Sequence, residues 1–387
     1  MDELATKMPR GARAPDDVLM PPPPPRFHPG PGVAPQADQR TAAPWALRMP
    51  APRRRQESPA EVCTTSIETE DFDFSKVVSG DGFVVPTKRI LSEGDVSTFL
   101  GSSTCRDYVS FINFLCSKVV GVKITDVEET PESLRPVVEA LSTLSRYVDE
   151  VPPQEHTLRY GNPAFRDWHN LVSENSERLV SAVLPDHLKA SAKELAYYFG
   201  DSFGNRTRID YGTGHETNFL VFLYCLAKLG VVKEGDSAAL VLTVFNAYLG
   251  VMRKIQQTYG LEPAGSRGCW GLDDYQILPF VFGSAQLINH KLIKPKSIHN
   301  SDFVQAFSKD FLYFGCVEYV LRVKRGGIRE TSPMLNDISA VPRWQKVNNG
   351  MLKMYEGEVL SKFPIMQHLG FGTLFKWEEP QPRGPPL

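Results

Sequence analysis

Apolar residues return at steps of three and four through most of this chain, and that period limits the kind of fold open to it. Leu134, Val137, Val138, Leu141, Leu144 and Val148 share one side of a 3.6-residue helix before Pro152-Pro153 stops it. Val241, Val244, Phe245, Tyr248, Met252 and Ile255 repeat the pattern, and Phe303 to Val323 carries it on an aromatic face. Strand-like alternation is scarce. About nine helices are expected between Gly94 and Lys362, so the expected class is all-α, without the repeat that marks a solenoid. Three helix-poor stretches interrupt the pattern, at Thr157 to Pro163, Gly204 to Gly214 and Tyr259 to Asp274.

The period does not reach the ends of the chain. Of the 31 prolines, 14 fall before residue 60, including the run Pro21 to Pro25, so residues 1–80 are expected to be a disordered tail. The helical domain is expected over 81–376, with a flexible tail over 377–387. PPPPPR at Pro21 to Arg26 reads as a solvated linker or a polyproline ligand, and Arg53-Arg54-Arg55 as linker, lipid contact or nuclear import signal. The N-terminus lacks the apolar run of an export signal. Six cysteines without a CxxC or CxxH pair argue against structural zinc and a disulfide framework and fit a reducing compartment. A net charge of −2 offers no basic field for nucleic acid. Uncharged stretches such as Ser237 to Met252 fall short of the roughly 18 to 20 residues a membrane span needs, and read as core helices.

Two of the helix-poor stretches carry chemistry. The segment Gly204 to Glu216 runs into the apolar helix Phe219 to Leu229, and Thr213 with Glu216 three residues later has the pattern of a capping box. A helix start there turns its free N–H groups toward Gly212 to His215, two glycines allow close approach, and Arg206 and Arg208 add charge. These features point to a phosphate seat; the alternative is a glycine turn with Arg208 and Asp210 paired. It is neither a Walker loop nor a dinucleotide fingerprint. His215 reads as a satisfied buried histidine. In the second segment, Glu262 to Tyr275, Asp273 and Asp274 could serve Mg²⁺ beside substrate phosphates or cap a helix expected at Tyr275 to Leu287.

Four runs, RIDYGTGHE (208–216), EPAGSRGCWGLDDYQ (262–276), ISAVPRWQKVNNGMLKMY (338–355) and FPIMQH (363–368), make the chain closely similar to the phosphotyrosyl phosphatase activator family, the serine/threonine protein phosphatase 2A activators. The resemblance spans Phe83 to Phe375. It implies an all-helical domain with core, lid and linker subdomains around a deep cleft that binds Mg-ATP. It also implies docking on the catalytic subunit of phosphatase 2A, help in loading that subunit's metals, and a peptidyl-prolyl cis-trans isomerase classification. Carried over by motif, the ATP positions fall on Arg208, Thr213, Gly214, Gln367, Gly370 and Phe371, and the magnesium positions on Gly268 and Asp274. Gly370 stands where relatives can have lysine, and Thr217 where the residue is often small. Partners outside this class, nucleic acid and membrane, are not expected; the location expected is cytoplasmic, with the nucleus left open. Aromatics that could line an isomerase groove are Phe165, Trp168, Tyr211, Trp270 and Trp344, each also a packing residue. A free-standing ATP hydrolase or phosphotransferase in the same cleft is the alternative function, weakened by the lack of an assignable catalytic base.

Overall fold

In the computed structural model, which describes residues 71–80, 82–155, 161–264 and 272–379, helices follow one another as the apolar period predicts. Ala164–Val183 packs between Arg135–Glu150 and Ala192–Gly200, and Arg135–Glu150 also rests on Asn246–Tyr259. Leu278–Gln286 packs on both Leu312–Val323 and Trp344–Tyr355. At the centre lies Thr213–Lys228, buried at every position from His215 to Ala227. A helix apolar on all sides has no solvent face to offer and belongs in a core.

Large aromatic side chains fill the space between helices, and their polar atoms are paired with one another. Phe219 stacks on Tyr248 with ring centroids 3.8 Å apart. The Tyr248 hydroxyl donates to the Ser202 carbonyl at 2.8 Å and lies 2.8 Å from the Tyr211 hydroxyl. The Tyr355 hydroxyl lies within 3.0 Å of the hydroxyls of both Tyr108 and Thr217. Thr217 thus gives the central helix a hydrogen bond that a smaller apolar residue could not make.

The structure moves three boundaries. Phe72 is buried, with its ring 4.9 Å from those of Phe74 and Phe111, and the Val78 N–H donates to the Lys228 carbonyl. The packed chain therefore begins by Phe72, short of the residue 80 expected from composition; the earlier part of that tail lies outside the described residues. At the other end Trp377 packs on Phe371, and the Glu378 carboxylate accepts the N–H groups of Ser103 and Thr104, so the domain runs past 376. Phe303 to Val323 is two helices, Ser301–Phe307 and Leu312–Val323, broken where Gln286 Oε1 accepts the Leu312 N–H.

The helix Glu234–Tyr259 is longer than its uncharged part and long and apolar enough to cross a membrane, but Leu240, Val244, Phe245, Tyr248, Met252 and Ile255 are all buried inside the protein. Two short strand pairs have no counterpart in the sequence pattern. Thr87–Lys88 runs antiparallel to Gly370–Phe371, and Asp210–Tyr211 parallel to Glu262–Pro263. At two residues each they are too short to show alternation.

Candidate functional site

Both strand pairs border one cleft of about 540 Å³, at the N-terminal end of the central helix. Gly204 to Gly212 gives Asn205, Arg208, Asp210 and Gly212 to its lining through a tight local turn. The Asn205 side chain accepts the N–H groups of Thr207 and Arg208, and Ile209 is held at φ 54°, a left-handed conformation that a β-branched residue rarely adopts. Its neighbours maintain it: the Ile209 N–H donates to Asn205, and its carbonyl accepts the Glu262 N–H at 3.0 Å. This turn sets Arg208 and Asp210 on the cleft wall, where Arg208 Nε donates to Asp210 Oδ2 at 2.5 Å.

The helix begins at Thr213, as the sequence predicts, but not with a capping box. Gly212 is the N-cap, and Glu216 turns away into the core. Gly212 is extended and comes so near the neighbouring segment that a Cβ would lie 2.7 Å from the Ala264 carbonyl oxygen. That approach brings the helix start, with N–H groups that have no intrahelical acceptor, against the strand leading into the glycine-rich segment.

Of the expected nucleotide positions, Arg208, Thr213 and Gly214 line the cleft together. Gln367 belongs to the same short segment as the lining residues Pro364, Ile365 and His368, but its amide turns back to the Pro364 carbonyl at 3.3 Å. Gly370 and Phe371 stand behind the wall. The Phe371 ring is buried and stacks on Phe375. A Cβ on Gly370 would lie 2.5 Å from the Tyr197 ring, so this backbone has no room for a side chain at that position. Pairing with Gly370 instead places Lys88 in the cleft.

Lys88 is one of the residues that motif reasoning missed; Asp201, Asn205, Tyr197 and His368 are others. Burial raises the Asp201 carboxyl, opposed by the nearby charges of His215, Lys88 and Arg208. His215 Nδ1 lies 2.6 Å from the Asp201 carbonyl and so donates to it, with the ring stacked on Tyr211. This is the satisfied histidine the sequence predicts, now seen at a cleft wall. His368 is lowered by burial and by Lys88 and Arg208. Two cations, a helix start and a glycine-permitted close approach suit a phosphate-bearing ligand.

Gly268 lies outside the described residues. Asp274 does not line the described cleft, and its Oδ1 accepts Lys324 Nζ at 2.9 Å. Asp273 Oδ1 accepts the Tyr275 and Gln276 N–H groups, while its buried Oδ2 has no partner among the described residues. The helix after this turn starts at Leu278, three residues later than expected, and neither aspartate caps it; Glu216 does. Among the described residues no group of three metal-binding side chains occurs. A Mg²⁺ that takes one carboxylate oxygen and fills its shell with water and phosphate oxygens needs no such group, and Asp274 keeps one oxygen outside the Lys324 contact.

The family model described as phosphotyrosyl phosphate activator (PTPA) protein matches residues 86–377, which include every described wall of this cleft. The chain belongs to the PTPA family. Serine/threonine-protein phosphatase 2A activator 2 of Cryptococcus neoformans is 46% identical over 300 residues, covering 77% of this chain and 78% of its own. A probable serine/threonine-protein phosphatase 2A activator 1 of Dictyostelium discoideum is 41% identical over 296 residues, covering 76% of this chain and 91% of its own. The crystal structure of the PP2A phosphatase activator Ypa1 superposes with a TM-score of 0.72 at 35% identity, covering 76% of this chain and 96% of that one. The helical PTPA fold therefore holds for this chain, and the Phe72 and Phe74 contacts lie just ahead of the matched segment.

Proposed function

We propose that this PTPA protein activates serine/threonine protein phosphatase 2A by docking on its catalytic subunit, with Mg-ATP held in the cleft at the Thr213 helix start. The observation that carries the reading is the convergence of Arg208, Lys88 and the Thr213-Gly214 backbone on one cavity, in a chain whose relatives are named as activators of that phosphatase. Arg208 clamps a phosphate while Asp210 fixes its direction. Thr213 and Gly214 present backbone N–H groups, and Lys88 adds a second positive charge to the lining. Asp274, outside the described lining of the cleft, would offer the magnesium the carboxylate oxygen that Lys324 does not take. When bound, Mg-ATP supplies a phosphate-held metal next to the partner, consistent with assistance in loading the phosphatase metals.

An isomerase activity is implied by the family resemblance, and the activator role takes precedence over it. Phe165, Trp168, Tyr211 and Trp344 are all buried packing residues, so none offers an aromatic groove; Trp270 lies outside the described residues. The activator reading is tested by calorimetry of Mg-ATP binding to the wild type and Arg208→Ala. Removing a charge-assisted contact lowers affinity roughly ten- to hundredfold. Equal affinity of the two proteins, with circular dichroism unchanged, would remove Arg208 from the site.

A further inference from the structure

The turn that carries Asp273 and Asp274 is tied down by two carboxylates. Four successive backbone N–H groups, those of Tyr275, Gln276, Ile277 and Leu278, go to only two oxygens. Asp273 Oδ1 accepts the first two, a local contact of a kind common in turns. Glu216 Oε2 accepts the second two, at 3.0 and 3.2 Å, from a position 61 residues earlier in the chain. Its carboxyl group is wholly buried, and its other oxygen has no partner among the described residues. A buried acid is costly unless something needs it, and the need here is the pair of N–H groups at the start of Leu278–Gln286.

The origin of Glu216 gives the contact its meaning. It lies on the first turn of Thr213–Lys228, just after Thr213 and Gly214. The same segment holds Ala264, whose N–H donates to the Tyr211 carbonyl at 2.8 Å. Ala264 and Ile277, which flank the stretch bearing Gly268 and Asp274, are therefore both moored on residues 211–216. One mooring is a backbone bond, and the other is the Glu216 side chain.

We infer that Glu216 is a positioning residue for the cleft: by holding the Ile277 and Leu278 N–H groups it sets the Asp273–Asp274 turn at a fixed distance from the phosphate seat. Its consequence for magnesium rests on the nucleotide reading above; the mooring itself does not. Glu216 touches no ligand and acts through the turn.

Two measurements on the full chain test this. The first is hydrogen exchange of the ligand-free protein. Glu216→Ala should speed exchange at Ile277 and Leu278 at least tenfold while the amides of 219–228 keep their protection, and Glu216→Gln, which keeps an acceptor oxygen, should restore it. Unchanged exchange at 277 and 278 would overturn the inference. The second is the ratio of ATP affinities with and without Mg²⁺. The alanine variant should lose most of the magnesium-dependent gain while binding metal-free ATP within about twofold of wild type, and glutamine should recover the gain. Equal loss of both affinities, or retention of the gain, would contradict the positioning role. Glu216→Asp, which withdraws the oxygen by one methylene, repeats both arms if the alanine variant does not fold. If the wild type binds no ATP, the nucleotide reading fails, and hydrogen exchange alone decides on the mooring.

Discussion

Burial pushes the Glu216 carboxyl up to about 8, with the neighbouring Asp273 adding to the rise and the Ile277 and Leu278 N–H groups opposing it. An exposed glutamate titrates near 4.3, so between those values the folded protein holds a proton that the unfolded chain has released. Stability therefore falls as pH rises through this window and levels off above about 8, the reverse of the usual salt-bridged carboxylate. The slope approaches 1.4 kcal/mol per pH unit, which gives a loss of about 2 kcal/mol between pH 6 and pH 7.5. Glu216→Gln keeps the shape and an acceptor oxygen but cannot ionise. The groups around it, including Asp273 and the Tyr211, Tyr248, Tyr108 and Tyr355 hydroxyls, are common to both proteins and largely cancel in the difference. Urea unfolding at pH 6.0, 6.75 and 7.5 should show the variant gaining about 2 kcal/mol on the wild type across the series. Parallel pH curves would refute the claim that Glu216 is folded in its protonated form.

Phe72→Ala should cost about 3 to 5 kcal/mol, as expected for a buried ring in contact with Phe74, Phe111 and Tyr224. A chain beginning at residue 81 should melt well below one beginning at 71; equal midpoints would show that the Phe72 contacts contribute nothing. Glu378→Ala should lower stability by about 1 kcal/mol, because the carboxylate accepts two N–H groups at the start of Ser103–Lys118. The isolated protein should release phosphate from Mg-ATP negligibly, and fast turnover by the protein alone would favour the hydrolase alternative.

The helices were legible because their signal is local: Leu134 to Val148 has the same period in the sequence and in the Arg135–Glu150 helix. The helix start at Thr213 was legible from the Thr213–Glu216 spacing ahead of an apolar run, although the capping box that spacing suggests does not form. What Glu216 does there was not. Its spacing from Thr213 fits a capping box, but the central helix is buried on all sides, and the free N–H groups of Ile277 and Leu278 compete for its carboxyl oxygen. Lys88 was hidden because its place depends on a two-residue strand pairing with Gly370, across more than 280 residues of sequence. Asp201 was hidden in a short turn after Ala192–Gly200 that has no motif of its own. Phe72 and Phe74 were masked by alternating with Asp71 and Asp73, so an acidic stretch concealed one core ring and a second packed against it.

The proposed activation of phosphatase 2A runs through Mg-ATP held in the cleft by Arg208 and the Thr213 helix start. The most direct test measures recovery of phosphatase activity by inactive catalytic subunit incubated with the chain, with and without Mg-ATP, and with Arg208→Ala in place of the wild type. Full recovery is expected with wild type and Mg-ATP, little without the nucleotide, and a requirement for at least tenfold more ATP with the variant. Equal recovery in all three conditions would contradict it.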